Sequence, residues 1–315
     1  MKEAAEEKNK KLKEEISRLK KEKNALIMAH YYQREEIQEI ADFIGDSLAL
    51  ARQAAKTDAD VIVMCGVHFM GETAKILCPD KKVLVPDLEA GCSLADSCPP
   101  EQFEAFVKDH PGFTVVSYVN TSAAVKALTD IVVTSGNARH IIEQLPEEEK
   151  IIFGPDHNLG EYINSVTGRS MLLWKGACHV HDRFSLEKIL EMKRKHPGAK
   201  ILVHPECRRP LQLVADKVGS TAALLEFAQK DDAKEYIVVT ESGILFEMQK
   251  KCPQKRFMAA PAEDAECQCN ECDFMKLNTL EKVYMALKNG EPEIEVDPEI
   301  AAKALRPIER MLSMS

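Results

Sequence analysis

Apolar runs that end in polar residues recur at regular intervals along this chain, and this recurrence limits the folds that it can adopt. Three of these runs end in ionisable or polar side chains: ALIMAHYYQ from residue 25, FTVVSYVNT from 113 and AKILVHPEC from 199. A second set starts at residues 60, 130 and 235, and there a glycine-containing turn joins each run to an amphipathic helix. A third set, from 81, 150 and 255, stops at proline, which lacks the N–H that a sheet ladder needs.

Helical segments separate the apolar runs, and we predict them over 35–56, 101–111, 185–197 and 220–230. Strands that alternate with helices predict βαβ units and parallel sheets. We therefore predict an α/β fold of three similar small doubly wound parallel-sheet (αβα) domains in a pseudo-three-fold arrangement. Two domains with an insertion are the alternative.

The predicted domain boundaries follow the repeats. They are a charged N-terminal helix over 1–24, α/β domains over 25–100, 101–184 and 185–280, and a C-terminal helical segment over 281–315. In the first segment Leu12, Ile16 and Leu19 recur at helical spacing. We expect a solvated helix that lays one thin apolar stripe on the rest of the protein.

Composition narrows the possible functions. The 315 residues carry a formal net charge of −9, which argues against a nucleic-acid-binding surface. No apolar run reaches the length of a membrane span, and the N-terminus has no apolar signal core. We therefore expect a cytoplasmic protein with neither nucleic-acid nor membrane partners, whose ten scattered cysteines serve metals or catalysis more often than disulfides.

The polar residues at the predicted strand ends are candidates for a binding site, because ligands of open parallel sheets lie beyond the carboxyl ends of the strands. If the three domains converge at those edges, one central cavity collects all of these residues. They are His30, Tyr31, Tyr32, Tyr118, Asn120, Ser135, His204, Glu206, Thr240 and Glu241.

One cysteine-bearing loop follows the strands of each repeat. These loops contain Cys92, Cys178 in GACHVHDR, and the cysteines of ECQCNECDFMK. From its neighbours alone, Cys178 is a metal ligand with His181, a nucleophile beside a base, or a packed thiol. Soft thiolates select zinc, copper(I) or iron–sulfur clusters, and three thiolates on four irons leave one iron open to substrate.

A dozen motifs, in order from about residue 25 to the C-terminus, resemble those of the quinolinate synthase family. They are MAHYYQ, IGDSLALAR, CGVHFMGETAKILCPDKKVLVPDLEAGCSLAD, VVSYVNTSAAVKALTD, TSGNA, GPDHNLG, WKGACHVH, VHPEC, VGST, TESG, CDFMKLNTLEKV and ALRPIERM. The resemblance implies three similar α/β domains around a central site. It also implies condensation of iminoaspartate with dihydroxyacetone phosphate to quinolinate, phosphate and water on the route to NAD.

The resemblance further implies a [4Fe–4S] cluster with Cys92, Cys178 and Cys272 as its ligands. Cys272 directly precedes DFMKLN, where the third ligand of the family stands, but the spacing C-x-C-x-x-C leaves Cys269 as a competitor. L-Aspartate oxidase or dehydrogenase is the implied supplier of iminoaspartate. Cys65, Cys78, Cys98, Cys207 and Cys252 are expected to be ordinary thiols.

Site residues follow from the same motifs. Glu206 resembles the catalytic acid/base of the family, and Tyr32, Tyr118 and His204 resemble catalytic residues. The implied substrate-binding residues are His30, Ser47, Tyr118, Asn120, Ser135, His204, Glu206 and Thr221. Asp46 and Ser220 read equally well as simple helix caps. Another iron–sulfur hydro-lyase and a non-catalytic iron–sulfur sensor are the rival functions.

Overall fold

The computed structural model describes residues 2–263 and 270–315. Cys267 and Cys269 lie outside the described residues. The chain divides into two compact units, Met1–Cys92 with Asp273–Ala301, and Ser93–Cys272 with Ala302–Ser315. The domain boundaries inferred from the sequence stay predictions. Among the described residues, none of the helices combines the length and the apolar content needed to cross a membrane.

The strands form three parallel sheets of four strands within the described part of the chain. The strands are β1 (Ala25–His30), β2 (Phe43–Gly45), β3 (Val61–Cys65), β4 (Lys82–Leu84), β5 (Thr114–Tyr118), β6 (Ile131–Val133), β7 (Ile151–Phe153), β8 (Leu172–Leu173), β9 (Lys200–Val203), β10 (Lys217–Val218), β11 (Glu235–Val239) and β12 (Arg256–Ala259). The first sheet belongs to the first unit, and the other two belong to the second unit.

Helices connect and flank these strands. They are α1 (Lys2–Glu22), α2 (Glu35–Ile40), α3 (Ser47–Ala54), α4 (His68–Leu77), α5 (Ser93–Asp96), α6 (Pro100–Lys108), α7 (Ala123–Lys126), α8 (Ala138–Gln144), α9 (His157–Thr167), α10 (His179–Asp182), α11 (Leu186–Lys195), α12 (Arg209–Leu213), α13 (Thr221–Lys230), α14 (Ile244–Lys251), α15 (Leu280–Asn289) and α16 (Pro298–Ser313). A 3₁₀ helix spans Met275–Leu277.

Each sheet has the same strand order, which is β2-β1-β3-β4, β6-β5-β7-β8 or β10-β9-β11-β12. The second strand of each repeat lies on one side of the first strand, and the third and fourth lie on the other, so the chain reverses direction across the sheet after the second strand. Because crossovers between parallel strands are right-handed, this reversal places helices on both faces. The predicted fold of three similar αβα domains is confirmed.

An aspartate occupies the same position in each of the three repeats and shows which strands of the repeats are equivalent. Asp42, Asp130 and Asp216 each immediately precede the second strand of their sheet. Each accepts a hydrogen bond from a backbone N–H of the first strand, at Ile27, Val115 and Ile201, over 2.9, 2.8 and 2.8 Å. The separation is 15 residues in all three cases.

This alignment corrects two sequence predictions. The segment 35–56 is not one helix, because β2 interrupts it between α2 and α3. In the second repeat, the run from residue 130 is the second strand and the run from 150 is the third. The sequence had grouped them with the third strands (runs from 60 and 235) and the fourth strands (runs from 81 and 255) of the other repeats, so this grouping was wrong by one strand. The second strands have only two or three residues, too few to show a periodic pattern.

The N-terminal helix packs as its apolar spacing predicts. Ile16 and Leu19 are buried in the core of the first unit beside Ile27, and Leu12 lies partly buried against the same cluster. Full burial of one such side chain stabilises the fold by about 1.5–3 kcal/mol.

Candidate active site

Glu206 is the centre of a buried polar group in the second unit. It lies in the turn after β9, with only 3% of its surface exposed. The hydroxyl of Tyr118, the last residue of β5, donates a hydrogen bond to Glu206 Oε1 over 2.5 Å. His181 Nδ1 lies 3.0 Å from Glu206 Oε2. Both carboxylate oxygens are therefore bound by side chains.

Two histidines connect Glu206 to neighbouring hydroxyl groups. His181 Nε2 lies 2.8 Å from Thr240 Oγ1, and His204 Nε2 lies 3.2 Å from Ser135 Oγ. The two imidazole rings stack with their centroids 4.6 Å apart. The strand ends of the second and third sheets thus contribute to one network.

The surroundings of Glu206 keep it ionised. Burial alone disfavours its charge, but His181, His204 and the hydrogen bonds from His181 and Tyr118 outweigh burial and lower the pKa of Glu206 to about 2. Glu206 is a carboxylate at neutral pH, able to accept a proton from a substrate.

Asp156 supports the loop that carries Cys178. Its side chain is fully buried at the N-terminus of α9, where Oδ1 accepts a hydrogen bond from Leu159 N and Oδ2 accepts one from Cys178 N, both over 2.9 Å. Burial, and then the negative charge of Glu206, raise the pKa of Asp156 well above its usual range.

Cys178, His181 and Glu206 form a candidate metal-binding group. Their ligand atoms all lie within 4.8 Å of one another, and His181 Nδ1 is 3.3 Å from Cys178 Sγ. Thiolate, imidazole and carboxylate are the donor types that bind zinc and iron.

Glu241 holds the backbone of Cys272 in a similar way. Its carboxylate is fully buried after β11, where Oε1 accepts from Cys272 N over 3.1 Å and Oε2 accepts from Gly243 N over 2.7 Å. A buried acidic side chain therefore fixes the main chain at both Cys178 and Cys272.

Solvent exposure separates the described cysteines into two groups. Cys92, Cys178 and Cys272 are partly exposed, and these are the three that the family resemblance implies as ligands. The buried thiols are Cys65, Cys78, Cys98, Cys207 and Cys252. Burial raises the pKa of Cys65 and Cys98 to about 12, which keeps them as neutral thiols rather than metal-binding thiolates.

In the first unit, polar side chains also cluster at the carboxyl end of the first strand, β1. His30 Nδ1 accepts a hydrogen bond from Tyr32 N over 3.2 Å, and the two rings meet edge to face. Lys276 Nζ donates to the Tyr32 carbonyl over 2.7 Å. Ser47 is the first residue of α3, and Asp46 caps that helix by accepting from Ala49 N over 3.0 Å.

Two other predicted substrate-binding residues lie in the second unit. Asn120 Oδ1 is buried and has no hydrogen-bond partner among the described residues. Thr221 is buried as the first residue of α13, and Ser220 caps that helix by accepting from Ala223 N over 3.3 Å. The capping roles of Asp46 and Ser220 are confirmed.

Known proteins resemble the chain over nearly its whole length. The family model described as "Quinolinate synthetase A protein" matches residues 14–313. The chain belongs to the quinolinate synthetase A family. Its sequence is 57% identical over 302 residues to a quinolinate synthase of Chloroherpeton thalassium, covering 96% of this chain and 94% of that protein. It is 58% identical over 300 residues to a quinolinate synthase of Trichormus variabilis, covering 95% of this chain and 92% of that protein.

Membership of the quinolinate synthetase A family confirms the resemblance stated from the sequence motifs, and the chain is an enzyme of that family. Within the second unit the structure brings together Tyr118, Ser135, His204 and Glu206. The roles assigned to the individual residues stay predictions.

Sequence reasoning left out Asp156 and gave His181 only a secondary place. The sequence did contain a signal for Asp156. It follows the proline that ends the third strand of its repeat, and ligands of open parallel sheets bind beyond such strand ends. For His181 the contact that matters is with Glu206, 25 residues further along the chain, and no local pattern indicates it.

Proposed function

We propose that this chain is a quinolinate synthase that condenses iminoaspartate with dihydroxyacetone phosphate to quinolinate, phosphate and water in de novo NAD biosynthesis. The observation that carries the proposal is the buried network in which Tyr118 and His181 bind the two oxygens of Glu206. Family membership supplies the substrate class, and the network supplies groups for the proton transfers that condensation and dehydration need.

A [4Fe–4S] cluster held by Cys92, Cys178 and Cys272 is part of this proposal. Two observations favour these residues: all three are partly exposed, and the acidic side chains of Asp156 and Glu241 accept hydrogen bonds from the backbone N–H groups of Cys178 and Cys272. When bound, an iron without a thiolate ligand supplies a Lewis acid that polarises a substrate hydroxyl or carboxylate.

Proton transfer falls to Glu206 and Tyr118. The ionised carboxylate removes a proton from a carbon next to a carbonyl or imine. The Tyr118 hydroxyl protonates the carbonyl oxygen or imine nitrogen that gains the electron pair, and the proton taken up by Glu206 returns to the Tyr118 oxygen along their hydrogen bond, so both groups end the step in their starting forms. His181 and His204 stabilise the carboxylate before the proton arrives. In the first unit we assign the corresponding donor role to the hydroxyl of Tyr32, whose ring meets that of His30 edge to face.

Substrate binding requires hydrogen-bond donors for two anionic molecules held in reacting geometry. We assign this role to Ser135, Asn120 and Thr221 in the second unit, and to His30 and Ser47 in the first. The buried Asn120 Oδ1 is an acceptor that no described residue satisfies, which favours a ligand group that donates a hydrogen bond there, such as a hydroxyl. L-Aspartate oxidase or dehydrogenase is the proposed source of iminoaspartate, and the cytoplasm is the proposed location.

The experiment measures quinolinate formed by anaerobically purified protein from dihydroxyacetone phosphate and iminoaspartate. Glu206→Gln is the test variant. Glu247→Gln is the matched control, because Glu247 is equally buried but pairs with Lys250 on α14. Loss of a general base lowers the rate by about 10²–10⁴-fold. We expect that loss in Glu206→Gln alone, with equal iron and sulfide in all three proteins.

Two results would replace the proposal. Wild-type protein that carries a full cluster but forms no quinolinate, while dehydrating another hydroxy acid, favours the hydro-lyase. A full cluster with no turnover of either substrate class favours the sensor.

A further inference from the structure

A buried side-chain donor holds the strand-end turn of every repeat. In the third repeat this donor is Gln212 on α12, whose Nε2 donates to the carbonyls of Pro205 and Cys207 over 2.9 and 2.7 Å. Because both partners are carbonyl oxygens, only the NH₂ end of the amide fits. The two carbonyls flank Glu206, so the contact fixes the main chain on both sides of that residue.

The first repeat has the same arrangement. Gln38 on α2 donates through Nε2 to the carbonyls of Tyr31 and Gln33 over 3.1 and 2.9 Å. These carbonyls flank Tyr32.

In the second repeat a lysine takes the place of glutamine. Lys126 on α7 is fully buried, and its Nζ donates to the carbonyls of Val119, over 2.8 Å, and Thr121. These carbonyls flank Asn120. Burying an ammonium group is costly unless hydrogen bonds compensate it, so its presence here indicates that the turn needs a donor.

The spacing is identical in all three repeats, since each donor binds the carbonyls five and seven residues before it. The residue six positions before it is Tyr32, Asn120 or Glu206. All three were predicted as site residues from sequence motifs that do not include the two glutamines.

We propose that Gln38, Lys126 and Gln212 are positioning residues, which hold the turns that present Tyr32, Asn120 and Glu206 to the substrate. A strand-end turn has no ladder partner for its carbonyls, so the side-chain donor replaces the sheet as the source of rigidity. The expected effect on kcat/KM rests on the proposed function. The effect of the three donors on the rigidity of the turns does not, because amide hydrogen exchange measures it without turnover.

The experiment compares Gln212→Met and Lys126→Met with wild type. Methionine keeps much of the length of both side chains and removes the donor. Tyr236→Phe is the matched control, because it deletes two hydrogen bonds of a buried tyrosine away from the turns, one to Asp231 and one from Lys255. Lys126→Gln is the rescue variant, because glutamine serves at the equivalent positions. If Gln212→Met does not fold, Gln212→Asn shortens the reach and keeps the polarity.

Three measurements are made on each cluster-loaded protein: kcat and KM for quinolinate formation, amide hydrogen exchange of peptides covering 118–121 and 204–207, and thermal unfolding. We expect exchange about tenfold faster in the affected turn, the scale expected when two hydrogen bonds are lost. We expect kcat/KM to fall about 10–100-fold, since small displacements of reacting groups cost that much. Lys126→Gln should restore both values to within about threefold of wild type.

Several results overturn the proposal. One is faster exchange with unchanged kcat/KM, and another is exchange no faster than in Tyr236→Phe. A loss of activity in Lys126→Gln equal to that in Lys126→Met also contradicts it. If wild-type protein forms no quinolinate, the proposed function fails, and exchange in the turns alone then decides whether the donors hold them.

Discussion

The Tyr118 hydroxyl donates a hydrogen bond to Glu206 Oε1 over 2.5 Å, and this contact joins the end of β5 in the second sheet to the turn after β9 in the third. Tyr118 ends the first strand of its repeat and Glu206 follows the first strand of the next, and in each sheet the second and third strands lie on opposite sides of that first strand. The ligand rule for parallel sheets expects functional groups there. A carboxylate that receives Tyr118 on one oxygen and His181 on the other is held ready to accept a proton.

Tyr118→Phe should move the acid limb of the pH profile of kcat/KM to higher pH. The hydrogen bond from Tyr118 is one of the causes that lower the pKa of Glu206 to about 2. Without it the pKa rises, so the carboxylate form is lost at a higher pH. The measurement is kcat/KM for quinolinate formation against pH. Tyr236→Phe should leave the limb in place, and an unmoved limb in Tyr118→Phe would contradict the role of this contact.

His181→Gln should shift the same limb further. The charge interaction with His181 is the largest of the causes that lower the pKa of Glu206, ahead of His204 and Tyr118. The measurement compares how far the acid limb of kcat/KM moves in the two variants, and the shift should be larger in His181→Gln than in Tyr118→Phe. The reverse order would show that the Tyr118 hydrogen bond, rather than the His181 charge, keeps Glu206 ionised.

Glu206 should make the folded state less stable in acid. Its folded pKa of about 2 lies below the ordinary 4.5, so its contribution is fully present above the ordinary value and disappears as pH falls through the folded value. Urea unfolding should therefore show a stability difference between wild type and Glu206→Gln that is constant above the ordinary pKa of 4.5 and shrinks as the pH falls from there towards the folded pKa of about 2. A difference that does not shrink in acid would contradict the lowered pKa.

Asp156→Asn should destabilise the fold by about 1–3 kcal/mol, the cost of an unsatisfied buried group. Asp156 accepts from Leu159 N and Cys178 N on different oxygens, whereas asparagine offers only one acceptor. Asp182→Asn is the control, because Asp182 makes a longer contact of 3.4 Å, with the Asn158 amide. The midpoint of urea unfolding measures both, and equal losses would contradict the structural role of Asp156.

Much of the fold could be predicted because the first and third strands of most repeats are apolar runs of four to six residues. The second strands could not be found in this way. Lys217–Val218 and Phe43–Gly45 are strands because they pair with the neighbouring first strand, which Asp216 and Asp42 also bind through a tertiary contact across 15 residues. Such a contact overrides local propensity.

Candidate site residues could be predicted where polar or ionisable side chains lie at the ends of predicted strands. His204, Glu206 and Tyr118 satisfy that rule, and motif resemblance added their roles. Asp156 and Gln212 were missed because their function is to bind backbone groups of other segments, which only the folded chain reveals.

Substitution of a partly exposed cysteine should remove the cluster, whereas substitution of a buried cysteine should not. Cys92→Ala, Cys178→Ala and Cys272→Ala should each lose the brown colour and most of the iron and sulfide of the anaerobic protein, because each removes a proposed cluster ligand. Cys252→Ala is the control, since Cys252 is buried at the C-terminus of α14. Retention of the cluster in Cys272→Ala would exclude Cys272 as a ligand and favour Cys269.

The most direct test of the account is the rate of quinolinate formation from iminoaspartate and dihydroxyacetone phosphate, with iron and sulfide counted on the same anaerobic sample. Wild-type protein that contains about four irons and four sulfides per chain should form quinolinate, and Glu206→Gln with its cluster intact should be slower by about 10²-fold or more. A fully loaded wild-type protein that releases no quinolinate, or a Glu206→Gln variant as fast as wild type, would contradict the account.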